Sequence, residues 1–285
     1  MSVPLILDLD DSVRDIGSAD RLPLQQWQER LRFSCSRRDL RRFGAAIAPV
    51  LMAVHGTVLM GSGDFHHLSL PLVEREARRR PLRVVVLDNH PDNMRFPFGV
   101  HCGSWVGRAA KLPGVVDVHV LGISSLDAGR GHAWENQLGA LRSGRVHYWC
   151  VGVDTEWARR FGIATVHSFE SPEELVAAFV RQVKDDEMPV YFSVDKDVFA
   201  PDVVRTNWDQ GKFQLDDALT IIAALKSRIV ASDITGEVSI HRYRSLFKRL
   251  LSALDQQPDP SPDEIEAWQQ QQAVVNRALI AALGW

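Results

Sequence analysis

Val84-Val85-Val86-Leu87-Asp88-Asn89-His90-Pro91-Asp92 is an apolar run closed by acidic and imidazole side chains. It has a counterpart later in the chain, Val190-Tyr191-Phe192-Ser193-Val194-Asp195-Lys196-Asp197. Runs this short and this apolar form buried strands. Side chains alternate faces on extended backbone, so Asp88, His90 and Asp92 are expected to project together, and Asp195 and Asp197 likewise. Strand-like runs at 5–9, 57–60, 83–87, 116–122, 146–151, 164–167, 189–194 and 228–231 alternate with helical periods at 38–54, 71–79, 104–111, 172–183, 215–226 and 242–254. That alternation predicts a three-layer α/β/α fold around a mostly parallel, eight-stranded sheet. Ligands of such sheets sit at the carboxyl ends of the strands, where both acidic clusters fall.

Four carboxylates and an imidazole at the ends of buried strands repel one another and lose hydration unless a cation lies among them. An isolated Asp-x-His-x-Asp is more often a solvated turn. Recurrence of the same spacing after a second apolar run points instead to a pair of divalent metal ions. Oxygen and imidazole donors without thiolate suit Mn2+ first, with Ni2+, Co2+ or Zn2+ as alternatives. Two ions bridged by carboxylates lower the pKa of a shared water, which is hydrolase chemistry.

Composition narrows the remaining choices. The 33 basic and 36 acidic residues give a net charge of −3, so no global field draws nucleic acid or anionic lipid. Basic runs at 37–42 and 78–83 read as polar helix faces or loops. No apolar stretch is long enough to cross a bilayer, and the amino terminus lacks the basic and apolar regions of a secretory signal. Cys35, Cys102 and Cys150 are too widely spaced for a disulfide framework or a thiolate zinc site. The expectation is a cytoplasmic enzyme acting on a small molecule. It is read as one domain over 1–285, with a Pro-rich connector at 255–262 and a C-terminal helix at 262–283.

On these residues the chain resembles the ureohydrolase superfamily, which includes arginase, agmatinase, guanidinobutyrase and formimidoylglutamase. The resemblance runs from about Thr57 to about Val238 and rests on Gly61-Ser62-Gly63-Asp64-Phe65-His66-His67, Asp88-x-His90-x-Asp92 and Ser193-x-Asp195-x-Asp197. It implies that Asp88 and Asp195 bridge two metals, that His90 and Asp197 complete one site, and that Asp92 with a first-loop histidine completes the other. An ungapped alignment puts Asp64 at the histidine position, whereas a short insertion brings in His66 or His67, and a histidine is favoured. The resemblance further implies attack by a metal-bridging hydroxide on a C–N bond of a guanidino, amidino or related nitrogenous substrate, and a homo-oligomer, trimer or hexamer.

Other residues take roles by the same resemblance. His101, in Gly99-Val100-His101-Cys102-Gly103, is similar to a histidine that passes a proton to the leaving amine, a role suited to a pKa near ambient pH. Cys102 beside it reads as a small packing residue. Glu237 resembles the glutamate that grips a guanidinium, one residue out of register, and Asp233 is structural or part of that motif. Asp127 could meet a substrate ammonium, Arg95 is a basic neighbour of the metal motif, and Trp208 forms a pocket wall or a buried support. Met94 stands where arginases carry an asparagine for the α-carboxylate, so arginine itself is not the favoured substrate. Two further functions stay open: a single-zinc amide deacetylase, suggested by the His66-His67 pair, and a catalytically silent metal- or metabolite-binding module.

Overall fold

A computed structural model of the chain describes residues 3–51, 55–246, 248–250 and 260–284. Its centre is a sheet of nine strands: β1 Val3–Asp8, β2 Asp20–Pro23, β3 His55–Leu59, β4 Leu82–Leu87, β5 Val115–Ile123, β6 Val146–Val151, β7 Val166–Phe169, β8 Val190–Asp195 and β9 Ile229–Thr235. Their order is β2-β1-β3-β9-β8-β4-β5-β6-β7 and every pairing is parallel. The expected count of eight is corrected to nine. The extra strand, β2, is an edge of sequence Asp-Arg-Leu-Pro with no buried residue. It lacks the apolar run that marks an interior strand, and its proline is tolerated only at a sheet edge.

Both faces of the sheet are covered, and this is why the central strands read as unbroken apolar runs. Val84, Val86 and Tyr191 face one core, which takes Leu40, Phe43 and Ile47 from helix Arg37–Leu51 and Leu72 and Val73 from helix Ser69–Ala77. Val85, Leu87, Phe192 and Val194 face the other, built with Leu175 and Phe179 of helix Pro172–Val183, Ile221 and Leu225 of helix Leu215–Leu225, and Leu279 of helix Pro262–Leu283. Ser171 and Ser261 cap two of these helices by accepting from the backbone N–H three residues on, each ahead of a first-turn proline.

Two expectations need adjusting. The helix expected at 104–111 shortens to Val106–Ala109, preceded by a tight turn at Cys102–Ser104. A two-residue antiparallel pair, Ser34–Cys35 with Val100–His101, joins distant segments and holds His101. Of the Pro-rich connector, 255–259 lie outside the described residues, as do 52–54 of one expected helix and 247 and 251–254 of another. Among the described residues no helix is long and apolar enough to cross a membrane.

Candidate metal centre

Strands β4 and β8 are hydrogen-bonded neighbours with Leu87 opposite Val194, so Asp88 and Asp195 leave the sheet side by side. The convergence of the ligands beyond them does not come from extended backbone. After Leu87 the chain turns: His90 N–H donates to Asp88 Oδ1 at 2.6 Å, and Asp92 sits at φ +44°, a left-handed conformation rare outside glycine. Asp92 is thereby folded back onto the cluster, where Trp105 Nε1 donates to its Oδ2 at 2.8 Å. Asp197 is likewise placed by a turn capped by Asp195, and its Oδ1 accepts from Asn89 N at 3.0 Å, tying the two strand ends together.

The first loop contributes His66. Its Nδ1 lies 3.1 Å from Asp88 Oδ2, 3.0 Å from Asp92 Oδ2 and 3.5 Å from Asp195 Oδ2. His66 Nε2 meets Ser193 Oγ at 3.0 Å, and Ser193 Oγ donates to Asp233 Oδ1, whose other oxygen accepts from Tyr191. That relay places an imidazole proton on Nε2 and turns Nδ1 towards the carboxylates of Asp88, Asp92 and Asp195. His90 repeats the arrangement. Its Nδ1 faces Asp197 Oδ2 at 3.0 Å and Asp88 Oδ1 at 3.6 Å, while Nε2 is held by Asp209 Oδ1 at 2.7 Å. Neither Asp209 nor Trp105 belongs to a motif legible in the sequence, although Asp209 follows Trp208 directly.

Two groups therefore form, His66-Asp88-Asp195 and Asp88-His90-Asp197, with donor atoms in each within 4.8 Å of one another and Asp88 common to both. Asp92 adjoins the first. His66 Nδ1 and Asp88 Oδ2 are buried and face each other at 3.1 Å, with Asp92 Oδ2 alongside at 3.0 Å from the imidazole. A buried crowd of carboxylate and imidazole atoms of this kind fits a pair of hard or borderline divalent cations. The electrostatics agree. Burial, then repulsion from Asp88, raises Asp92 and Asp197 to about 7. Burial disfavours charge on His66 and His90, yet their carboxylate partners lift both well above the ordinary imidazole value.

His67 is buried and joins neither group, and burial followed by the neighbouring His101 pushes its imidazole well down. Asp64 is also elsewhere, its Oδ2 2.6 Å from Arg32 Nε. If the cluster holds divalent ions, His66→Ala is expected to lose at least one of them and any activity that depends on it, by at least about a hundredfold, whereas His67→Asn retains the wild-type metal content. Metal analysis by mass spectrometry beside an activity assay checks the contrast. Equal losses would remove the distinction.

A cavity of about 200 Å³ opens onto the cluster, with His101, Asp127 and Trp208 in its wall together with Met94, Cys102, Glu135 and Asn136. Gly63 faces it as well, and a side chain there would press on Asp195 and Trp208 at 3.1 Å. His101 is packed between Phe33 and Phe96, and its Nδ1 accepts from Gly103 N at 2.9 Å. Burial brings its pKa down to about 4, opposed by Asp64. The expectation of a value near ambient pH is corrected. His101 is a neutral imidazole with its proton on Nε2.

Two more expectations change. Arg95 reaches away from the cavity to the carbonyl of Trp134. Glu237 does not line the cavity either. Its Oε1 is shared by Lys196 Nζ and Asn276 Nδ2, all three side chains being buried.

A third cluster, Asp117, His119 and His147, lies on β5 and β6. Trp149 Nε1 donates to His119 Nδ1 at 3.1 Å, which puts the imidazole proton on Nε2, and Arg83 occupies both oxygens of Asp117. These are not metal-ready atoms. The two imidazoles stack at 4.3 Å, and burial, then the neighbouring His119, lowers His147 to about 4. The unfolded imidazole protonates below about 6.5 while the folded one stays neutral, so stability is lost as pH falls from there towards 4. His147→Phe is expected to flatten that part of a melting-temperature profile against pH, and an unaltered slope would count against it.

A model of the arginase family matches residues 10–239. The chain belongs to the arginase family. An uncharacterized protein of Thermotoga maritima is 27% identical to it over 239 residues, 83% of this chain and 71% of that protein. The agmatine ureohydrolase of Thermoplasma volcanium superposes with a TM-score of 0.60 at 14% identity, over 99% of this chain and 89% of that one. A formiminoglutamase variant from Trypanosoma cruzi with Mn2+ gives 0.57 at 12% identity, over 98% and 92%. At these identities the superpositions speak for a shared fold. They leave the chemistry of this arginase-family protein to its own residues.

Proposed function

We propose that this protein is a binuclear metal hydrolase that cleaves a C–N bond in a small guanidino, amidino or related nitrogenous compound. The observation that carries this is the sharing of Asp88 between two buried ligand groups, in which His66 Nδ1 faces Asp88 Oδ2 at 3.1 Å and His90 Nδ1 faces Asp197 Oδ2 at 3.0 Å. His66, Asp92 and Asp195 would hold one ion with Asp88, and His90 and Asp197 the other. Manganese is the ion we assign first, given the donor set and the formiminoglutamase variant with Mn2+. When bound, the ions supply Lewis acidity and bring the pKa of a water towards neutrality.

The chain's own groups do the rest. Trp208 walls the cavity and packs edge-on against His90. His101 presents its neutral Nε2–H as a hydrogen-bond donor towards the departing nitrogen. Asp127 and Glu135, at the outer part of the cavity, offer carboxylates to a cationic tail. Asp127→Asn is expected to raise KM by about threefold to tenfold with kcat little changed, as removal of an outer-rim charge should. A fall in kcat alone would place Asp127 in the chemical step instead.

The pairing of Glu237 with Lys196 favours a second reading, in which the reacting carbon belongs to an uncharged amide rather than a guanidinium. A panel of guanidino, amidino and acetylated amines, assayed with Mn2+ or Ni2+ for urea, ammonia and acetate, separates the two. Urea or ammonia with two ions per chain supports the first reading, and acetate with one tightly bound zinc supports an amide deacetylase. Full metal occupancy without turnover on any compound would point to a silent binding module.

A further inference from the structure

Lys196 stands between the two ligands of the second acidic motif and is fully buried. Asp195 and Asp197 line the cavity, but Lys196 turns away from it to reach Glu237 Oε1 and Asn276 Oδ1, the latter at 2.9 Å. Asn276 Nδ2 closes the triangle on Glu237 Oε1 at 2.6 Å. Asn276 belongs to the C-terminal helix Pro262–Leu283, and so do Gln269 and Gln272, spaced three and four residues apart and hence on one face. Gln272 Nε2 donates to Gly236 O at 2.9 Å and Gln269 Nε2 to Val238 O at 2.7 Å. A helix face that elsewhere meets the core through Val275 and Leu279 thus carries a buried polar stripe, aimed at the loop after β9.

That loop touches the ligands. Gly236, at φ +94°, packs so closely that a Cβ there would lie 2.6 Å from Asp195 Oδ1. Glu237 N–H donates to Gly61 O at 3.0 Å, at the start of the loop that carries His66. A buried ion pair adds little to stability over apolar side chains of the same volume, so stability alone is a poor account of this one. We propose that Lys196, Glu237 and Asn276 are positioning residues, a strut through which the C-terminal helix fixes the separation of Asp195 from Asp197 and of both from the His66 loop. Through it, the contact of Asn276 with Lys196 and Glu237, and not docking of the helix as a whole, sets the affinity for the ions.

The strut rests on the metal reading, and the test separates the two. Wild type, Asn276→Ala, Gln269→Ala and the double variant Lys196→Met with Glu237→Gln are stripped of metal and titrated with Mn2+ against a chromophoric chelator, with thermal melting in parallel. Asn276→Ala and the double variant are expected to weaken uptake of at least one ion about tenfold or more, the range seen for outer partners of metal ligands. Gln269→Ala, which loses a buried hydrogen bond on the same helix face without touching the strut, should lower the melting temperature and leave affinity within about twofold of wild type. The double variant removes both charges at nearly constant volume, so it reports even if Asn276→Ala fails to fold. Wild-type affinity in the double variant, or an equal loss in Gln269→Ala, overturns the strut. A wild type that takes up no ion overturns the metal centre, and the strut's role with it.

Discussion

Asp88→Asn should abolish turnover, lowering kcat/KM by at least about a thousandfold, and should remove tight uptake of both ions together. Asp88 is the side chain common to both ligand groups, so a change there cannot be confined to one ion. An amide keeps the size and one oxygen, so the hydrogen bond from His90 N–H that shapes the turn can persist. What goes is a full negative charge and the second inward-facing oxygen, which faces His66 Nδ1 at 3.1 Å. Activation of a water near neutral pH depends on that charge compensation, and its loss accounts for a change of this size. Metal analysis, circular dichroism and an activity assay on one preparation check it. A folded variant with both ions and its activity would show that Asp88 is not shared.

Acid should strip the metal at a pH where the fold still stands. Asp92 and Asp197 sit at about 7 before any ion arrives, and His66 and His90 are held well above the ordinary imidazole value. Ligation requires ionised carboxylates and neutral imidazoles, so each ion competes with protons and releases them on binding. The sign follows: affinity rises with pH through 7 and falls below it. If Asp92 and Asp197 alone are displaced, one at each ion, the affinity for each ion should drop about tenfold for each pH unit below 7, and that for the pair about a hundredfold. Titration calorimetry in buffers of different ionisation heat counts those protons directly. Affinity that stays level between pH 6 and 8 would mean the carboxylates are already ionised in the metal-free protein.

Neither result depends on the identity of the substrate, which the cavity constrains more loosely. The withdrawal of Glu237 to Lys196 and of Arg95 to Trp134 leaves Asp127 and Glu135 as the charged outer groups. Amine-bearing compounds therefore head the assay panel.

The parallel sheet, its buried central strands and the two acidic motifs were legible from residue order because they depend on local periodicity and on the cost of crowding carboxylates beside a core. Strand β2 was not, since an exposed four-residue edge has no pattern of its own. Asp88, His90 and Asp92 were rightly grouped for a reason that proved incomplete: a turn with Asp92 at positive φ brings them together, and alternation along a strand does not. That His66 faces the carboxylates while Asp64 and His67 do not was visible only in the fold, because Arg32 claims Asp64 from another segment while Ser193 and Asp233 orient His66 from neighbouring strands. The same holds for Glu237, whose partners lie 41 and 39 residues away along the chain. Spacing shows which side chains share a face. Only packing shows which partner takes each buried charge, since desolvation makes every such group find one and the nearest in space need not be near in sequence.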